Sequence, residues 1–479
     1  MEGFEMGKVK VLTARQAADL IKDGDTVTLS GFVANGIAEA LNAAAEERFL
    51  ETGHPKDLTL FWVAGTGNKD GSHADHYAHE GMVKKVIGGH FNFVPKICEM
   101  LSENKIEGYN VPQGAIAQML RDNAAHKVGT ISHVGIGTFA DPRNGGGRLS
   151  EKTKEDIVKV IELEGQEQLF YPRIPLDVAF IRGTYADELG NITLEKEMAP
   201  LDATSQAMAV HNNGGLVVVQ VERVVKAGHL DPKLVKIPGI YVDAVVECPA
   251  DDPKQSQSIN CTYDPAYAGN TQVPVSSLEP KKLDAKKIIG RRAAMELKKN
   301  VVVNLGVGVP EWVSSVAAEE GVADEMTLTV ECGPVGGVPG GGLRFGGSVN
   351  AQAYMDEGYQ FDFYDGGGLD LCFLGLAEVD NNGDVNVSRL GTRITGSGGF
   401  TNISSNSKKA VFCGTFTNGV KIQTGDGKLT ILEEGKKHKF VKKVTEITFS
   451  GVVAGKAGKD VLYVTERAVF ALKADGIHL

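Results

Sequence analysis

A single carboxylate stands between a short apolar segment and the most glycine-rich stretch of the chain. Residues 327–330 alternate Thr with Leu and Val and predict a strand, Glu331 follows them, and residues 332–342 contain six glycines. Because glycine has no side chain, little would separate a ligand from the Glu331 carboxylate and the neighbouring backbone. The same spacing fits a solvated Glu beside a surface loop, so both interpretations stay open at this point.

A second glycine-rich motif, residues 396–400 with the sequence Gly-Ser-Gly-Gly-Phe, lies between two segments of strand character. Adjacent glycines can leave two backbone N–H groups free, and such groups stabilise the oxyanion that develops when a carbonyl carbon is attacked. A tight turn is the alternative interpretation. No segment has the spacing of a phosphate-binding P-loop or fits a dinucleotide-binding glycine motif well, which argues against a Rossmann dehydrogenase.

The elements that must position these motifs are repeated along the chain. Residues 177–194 and 370–387 share the pattern of an apolar strand, a polar turn and a second alternating strand. The two copies align without a gap at an offset of 193 residues, which pairs Asp177 with Asp370. The apolar segments 216–220 and 409–413 follow at the same offset and predict buried strands.

A second repeated pair lies nearer the beginning of each half. Residues 17–39 and 293–311 each indicate a helix, a strand and a glycine-containing loop, and their ends match at an offset of 272 residues. Two repeats in the same order predict two homologous α/β domains with open sheets covered by helices. We place the domains at residues 1–250 and 285–479, with a polar linker at 251–284 and an active site at the domain interface.

Composition and charge exclude several classes of protein. The 479 residues include 50 Lys and Arg against 61 Asp and Glu, and the net charge of −11 argues against a nucleic-acid partner. No apolar stretch reaches the ~18 residues of a membrane span, and the first residues lack the apolar core of a secretion signal. The six cysteines form no CxxC motif. We therefore expect a cytoplasmic protein with no membrane association and no metal site.

Ordered motifs along nearly the whole chain resemble family I of the coenzyme A transferases, in its short-chain acyl, propionate type. They are residues 30–32, 112–114, 134–139, 141–147, 182–187, 238–243, 304–308, 331–333, 364–370 and 396–400. The resemblance implies transfer of coenzyme A between a short-chain acyl-CoA and a free acid such as acetate, propionate, butyrate or lactate. It also implies a homo-oligomer that uses coenzyme A as a substrate and needs no metal or cofactor. Relatives of this type are expected to extend some tens of residues past the position of Leu479.

The resemblance assigns roles to particular residues. Glu331 matches the catalytic glutamate of the family, and Gly398 or Gly399 matches the glycine whose N–H contributes to the oxyanion hole. The resemblance places the second donor in the loop after residues 30–32, within residues 33–36, and does not fix which of them it is. Asn35 and Gly36 of this loop and Gln113, in the motif at 112–114, are the further residues expected at the site.

The resemblance also implies a mechanism. Ionised Glu331 attacks the thioester carbon to give an acyl-glutamyl anhydride, which the released CoA thiolate converts to a glutamyl-CoA thioester. A second acid reverses these steps, so the reaction is ping-pong and needs no ATP, in agreement with the missing P-loop. Two alternatives stay open: an acyl-CoA hydrolase that uses the same Glu331, and a non-catalytic acyl-CoA binding protein.

Overall fold

The computed structural model describes residues 7–274 and 282–479, which contain two large sheets. The first sheet has eight strands: β1 (Lys10–Leu12), β2 (Thr26–Leu29), β3 (Leu58–Trp62), β4 (Val83–Gly88), β5 (Glu107–Asn110), β6 (Val178–Arg182), β7 (Leu216–Val221) and β8 (Ala244–Glu247). The second sheet has nine: β9 (Val301–Leu305), β10 (Met326–Thr329), β11 (Pro334–Val335), β12 (Ala353–Tyr354), β13 (Leu371–Gly375), β14 (Lys409–Cys413), β15 (Asp460–Val464), β16 (Val469–Lys473) and β17 (Gly476–His478).

Five central strands have the same order and direction in both sheets. The first sheet runs β1-β8-β7-β6-β2-β3-β4-β5 and is parallel throughout. The second runs β12-β11-β10-β9-β13-β14-β15-β16-β17, and its parallel part, β10-β9-β13-β14-β15, corresponds to β3-β2-β6-β7-β8. Antiparallel strands extend the second sheet at both edges. The shared order confirms the predicted fold of two related α/β domains.

The repeated motif makes the same hydrogen bond in both halves. The Asp177 carboxylate accepts a hydrogen bond from the N–H of Thr26, at 2.8 Å. The Asp370 carboxylate accepts one from the N–H of Val302, at 2.9 Å. In each half, therefore, the repeated Asp immediately before one central strand is tied to the beginning of the neighbouring strand, which gives a physical reason for its repetition.

Helices cover the faces of the sheets. The described residues form α1 (Ala14–Ala18), α2 (Glu39–Thr52), α3 (Pro95–Ser102), α4 (Gln113–Ala124), α5 (Ala203–Asn212), α6 (Ala285–Ala294), α7 (Glu311–Glu319), α8 (Glu357–Asp365), α9 (Phe400–Asn406) and α10 (Gly451–Lys456). The helix before β9 begins earlier than the predicted residue 293, because the Asp284 side chain caps it by accepting the N–H of Lys287. No helix in the described part of the chain is long and apolar enough to cross a membrane.

Smaller sheets carry the remaining strands. One contains Gly129–Ser132, Lys159–Leu163 and Gln166–Pro172, and another contains Tyr185–Asp187, Ile192–Thr193, Arg223–Val225 and Val235–Ile237. Two-stranded pairs join Val338–Pro339 with Ser348–Val349, Glu378–Val379 with Val385–Asn386, Arg389–Leu390 with Arg393–Ile394, Thr417–Asn418 with Lys437–His438, and Lys421–Gly425 with Lys428–Glu433.

Part of the predicted linker is packed against the first half. Gln255, Gln257 and Ser258 are buried, and the N–H of Ile259 donates to the Ala34 carbonyl at 3.0 Å. Residues 275–281 of the predicted linker lie outside the described residues. The domain boundaries at 250 and 285 stay predictions.

One hydrophobic cluster continues across the two halves. Ile116 and Leu120 of α4 belong to the same cluster as Phe361 and Tyr364 of α8. Burial of such side chains is the main favourable term in packing two elements together. The cluster therefore holds the beginning of α4, where Gln113 lies, against the second half.

Candidate active site

A cavity of about 310 Å³ lies between the two halves of the molecule. Its lining includes residues that follow the carboxyl ends of β2, β3 and β4 in the first half, and of β9, β10 and β13 in the second. Glu331 is one of them and stands two positions after the end of β10. Open α/β sheets bind ligands at the carboxyl ends of their strands, so this cavity is the candidate active site.

Aromatic and aliphatic side chains form much of the cavity wall. They are Phe32, Val33, Phe93, Val307, Phe345, Leu374, Val387, Phe400 and Ile403. Within the described part of the chain, no Lys or Arg lines the cavity and Glu331 is its one carboxylate. Such a lining favours a small ligand whose tail is uncharged.

The Glu331 carboxylate is partly exposed and faces a polar support on one side. Burial raises the pKa of Glu331 above its usual value, and the hydrogen bond from Asn304 opposes this shift. Asn304 Nδ2 lies 3.5 Å from Glu331 Oε2 and 3.3 Å from the carbonyl oxygen of Thr329. The buried Tyr364 donates its O–H to Thr329 Oγ1 at 2.8 Å. These contacts tie the end of β10 to neighbouring elements and so orient Glu331.

The backbone conformation at position 333, two residues after Glu331, requires a glycine. Gly333 has φ of 136°, and a Cβ there would lie 2.2 Å from the Met355 carbonyl oxygen. Cys332 is fully buried, with its Sγ 3.1 Å from the carbonyl oxygen of Gly346. The thiol next to Glu331 is therefore a packing group, as its lack of basic neighbours in the sequence predicts.

The two glycines proposed for the oxyanion hole differ in how their N–H groups are used. The N–H of Gly398 donates to the Gly89 carbonyl at 2.8 Å. The N–H of Gly399 has no acceptor among the hydrogen bonds of the described residues. A Cβ on Gly399 would lie 3.5 Å from Glu331 Cγ, so the backbone of Gly399 passes beside the Glu331 side chain. Of the two glycines, Gly399 is therefore the one whose N–H has no acceptor among the described residues and whose backbone lies beside the Glu331 side chain.

Segment 395–399 is bound to the first half of the chain. Phe91 N–H donates to the Thr395 carbonyl at 2.7 Å, and Ser397 N–H donates to Asn110 Oδ1 at 3.0 Å. Gln113 N–H donates to the Gly398 carbonyl at 3.1 Å. These three hydrogen bonds join the two halves of the molecule at the cavity. The segment is therefore a contact between the halves and not the isolated tight turn that was the alternative interpretation.

Asn35 and Gly36 lie behind the first loop and do not line the cavity. The Asn35 amide donates to the carbonyl oxygens of Phe32 and Phe345, at 3.1 and 2.8 Å. The Gly36 carbonyl accepts the hydroxyl of Ser30 at 2.7 Å. The structure thus places both residues where they hold the loop, while Phe32 and its neighbour at position 33 face the cavity.

Gln113 lines the cavity, in agreement with its predicted proximity to the site. It is the first residue of α4 and is almost fully buried. Its Nε2 donates to Glu357 Oε1 at 2.5 Å, across the interface between the halves. This contact fixes the orientation of the Gln113 side-chain amide at the cavity wall.

Sequence reasoning missed several residues of the cavity wall, and His90 is one of them. It follows β4 by two positions and stacks at a tilt on Phe93, with ring centroids 5.5 Å apart. Burial, together with the charges of Lys69 and Arg393, lowers the pKa of His90 to about 4, so the ring is neutral at neutral pH. The available signal was its position just after a short apolar segment and two glycines, since sites form at such strand ends.

The chain is similar to several known proteins. The family model described as Coenzyme A transferase matches residues 11–248. Acetate CoA-transferase YdiF from Escherichia coli O157:H7 is 45% identical over 477 residues, which cover 99% of this chain and 89% of that protein. Caffeate CoA-transferase from Acetobacterium woodii is 43% identical over 468 residues, which cover 97% of this chain and 89% of that protein.

Solved structures show the same similarity. The crystal structure of the acyl-CoA transferase YdiF apoenzyme from Escherichia coli O157:H7 superposes with a TM-score of 0.93 at 44% identity, covering 99% of this chain and 90% of that one. The same enzyme has been solved as a thioester complex with CoA, again with a TM-score of 0.93.

Proposed function

Since the chain belongs to family I of the coenzyme A transferases and is an enzyme that moves coenzyme A between acyl-CoA and acids, we propose that it acts on short-chain substrates through Glu331. One observation carries the proposal. The Gly399 backbone, with its free N–H, lies against the Glu331 side chain at the wall of a largely apolar cavity. A nucleophile beside an oxyanion donor is the arrangement that acyl transfer needs.

The proposed reaction proceeds in two halves. An oxygen of ionised Glu331 bonds to the thioester carbon, and the C–S bond breaks. CoA leaves as a thiolate, and an acyl-glutamyl anhydride stays on the enzyme. The thiolate then bonds to the glutamyl carbonyl carbon, and the anhydride C–O bond breaks to release the first acid as a carboxylate. A second carboxylate attacks the resulting glutamyl-CoA and reverses these steps, so no proton is consumed overall.

The surroundings of Glu331 suit this chemistry. Burial raises the pKa of Glu331, and a more basic carboxylate is a stronger nucleophile when ionised. In this proposal the Gly399 N–H donates to the tetrahedral oxyanions, and one such donor is worth about 3–4 kcal/mol. The proposed steps use no metal and no further cofactor.

The cavity supports short monocarboxylic acids as the substrate class. Its apolar wall can accept the alkyl group of acetate, propionate, butyrate or lactate, which are the acids we propose. A dicarboxylate would bring a second charge into a cavity for which the described lining residues offer no cation. Acyl-CoA hydrolysis by the same Glu331 is the second candidate, since it differs only in admitting water to the intermediate.

Mass spectrometry of the intact protein tests the proposal. The protein is incubated with propionyl-CoA without an acceptor acid, and the products are mapped by peptide digestion. We expect a CoA adduct on Glu331. Continuous release of free CoA without an acceptor would indicate a hydrolase, and intact propionyl-CoA without an adduct would indicate a binding protein.

The assembly state is a separate proposal. The family resemblance implies a homo-oligomer, and light scattering coupled to size-exclusion chromatography tests it. We expect a mass that is a multiple of the 51.0 kDa chain.

Replacement of Asn304 changes the pH dependence of the reaction. The nucleophile must be ionised, so the rate falls as the pH falls through the raised pKa of Glu331. The Asn304→Leu variant lacks the donor that favours the charged carboxylate, so the pKa of Glu331 rises further. We expect the acid limb of the profile of kcat against pH to move up by about 0.5–1 pH unit. An unmoved limb would show that Asn304 does not support the charge on Glu331.

A further inference from the structure

Two buried carboxyl groups meet behind Gln113, at the interface between the halves. Asp202 precedes α5 and is 3% exposed, and Glu357 begins α8 and is 1% exposed. Their carboxyl groups lie within hydrogen-bonding reach of each other. The N–H of Glu357 also donates to the carbonyl of Leu201 at 3.0 Å, which holds the two helix starts together.

The pair has no cation partner in the described part of the chain. Asp202 Oδ1 and Glu357 Oε2 each lack a hydrogen-bond donor there. Two ionised carboxylates cannot stay in contact without water or a cation, because their repulsion adds to the cost of burying each charge. One proton between these two oxygens removes the repulsion and gives both atoms a partner.

The charged and titratable groups around the pair do not supply this compensation. They are the acidic Asp356 and Glu331, the neutral Cys332 thiol, Lys236, which pairs with Asp356, and Arg121, which pairs with Asp362. Burial, with the charge of Asp356, raises the pKa of Asp202, and the charge of Arg121 opposes this shift. Burial, with the charges of Asp202 and Glu331, raises the pKa of Glu357 well above its usual value. Both shifts are in the direction that keeps a proton on the pair, in agreement with the geometry.

The place of this proton decides which way the Gln113 amide faces. With the proton between Asp202 Oδ1 and Glu357 Oε2, Glu357 Oε1 stays an acceptor and takes the N–H of Gln113. The other end of the amide, Oε1, then lies on the side of Gly398, 3.4 Å from where a Cβ of that residue would stand. A proton on Glu357 Oε1 would instead favour the flipped amide.

We propose that Asp202 and Glu357 form a proton-sharing carboxyl pair that positions Gln113 at the wall of the active-site cavity. Both are positioning residues, since they act on the reacting groups through Gln113. The inference rests on the proposed function, because it assigns a role in the reaction at Glu331. It predicts that the reaction is lost when the pair loses its proton, because the repulsion between the two carboxylates then moves Glu357 away from Gln113.

Two substitutions of Glu357 separate the shared proton from simple packing. Gln at position 357 can accept from Gln113 with its carbonyl oxygen and donate an N–H to Asp202, so it copies the protonated pair without titrating. We expect Glu357→Gln to keep kcat within about threefold of wild type at pH 7. Glu357→Leu removes the acceptor, and we expect kcat to fall about 10- to 100-fold with a smaller change in KM.

The pH profile gives a readout that packing alone would not move. Wild-type kcat falls at alkaline pH as the shared proton leaves, and in Glu357→Gln this alkaline limb moves up by at least about one pH unit. Asp362→Asn is the matched control, because it makes the same carboxylate-to-amide change on α8 in a residue paired with Arg121. The proposal is overturned if Glu357→Gln is as inactive as Glu357→Leu, or keeps the wild-type limb.

Thermal unfolding against pH tests the pair without any turnover. A group whose pKa is raised on folding adds stability below its unfolded pKa and loses it as the pH rises through the folded pKa. The melting temperature of wild type should therefore fall more steeply than that of Glu357→Gln between pH 5 and 9. If the melting temperatures of wild type and Glu357→Gln fall with pH at equal slopes, the shared proton is contradicted, even if the CoA adduct forms on Glu331. If the slopes differ but no adduct forms, only the proposed function is contradicted.

Discussion

Replacement of Glu331 by Gln lowers the rate of CoA transfer by roughly 10⁴-fold or more, the scale of loss when a covalent nucleophile is removed. Gln has the same shape, and its side chain is partly exposed to the cavity, so the fold should be retained. An amide cannot form the anhydride, because it is a poor nucleophile. Initial rates with propionyl-CoA and acetate measure the effect, and circular dichroism checks that the variant is folded.

Two further variants test whether the loss of activity comes from removing the Glu331 nucleophile. Glu331→Asp keeps the charge and draws the carboxylate back by one methylene, and we expect about a 10²-fold loss, since misplacement by about 1 Å is enough to disrupt attack. Cys332→Ala is the control, because burial raises the pKa of the neighbouring thiol well above its usual value and leaves it unreactive. If Cys332→Ala abolished transfer while Glu331→Gln did not, the nucleophile would be the thiol.

Removal of the Gly399 N–H has the second largest effect. Gly399 has φ of −75°, which proline can adopt, so Gly399→Pro deletes the donor at a compatible backbone position. The tetrahedral oxyanions then lose one preorganised hydrogen bond. We expect kcat to fall about 10²- to 10³-fold, as when one oxyanion-hole donor is deleted in other acyl-transfer enzymes.

Gly399→Ala is the matched control for this substitution. It keeps the N–H and adds a Cβ that would meet Ile403 Cδ1 and Phe361 Cζ at 3.2 Å. We expect that crowding to lower kcat modestly. The ratio of kcat between Gly399→Ala and Gly399→Pro therefore measures the contribution of the N–H itself. Similar rates for the two variants would show that Gly399 acts through space-filling and that the oxyanion donor lies elsewhere.

The sequence by itself determined the class of fold and the carboxylate at its centre. The repeat at 177–194 and 370–387 helped to predict two homologous α/β domains, and the structure confirms this fold with matching strand order and with the hydrogen bonds of Asp177 and Asp370. Such features are local, since alternation, turns and strand ends depend on residues close in the chain. The position of Glu331 after a predicted strand was visible for the same reason.

Only the tertiary structure decided how the site is completed. Gly398 and Gly399 are indistinguishable by spacing, and it is the Gly89 carbonyl, far away in sequence, that occupies one N–H and leaves the other free. The pairing of Asp202 with Glu357 depends equally on two helix starts from different halves meeting at one point. Free donors and buried charges are properties of what surrounds a residue, and those neighbours are brought together only when the two sheets pack.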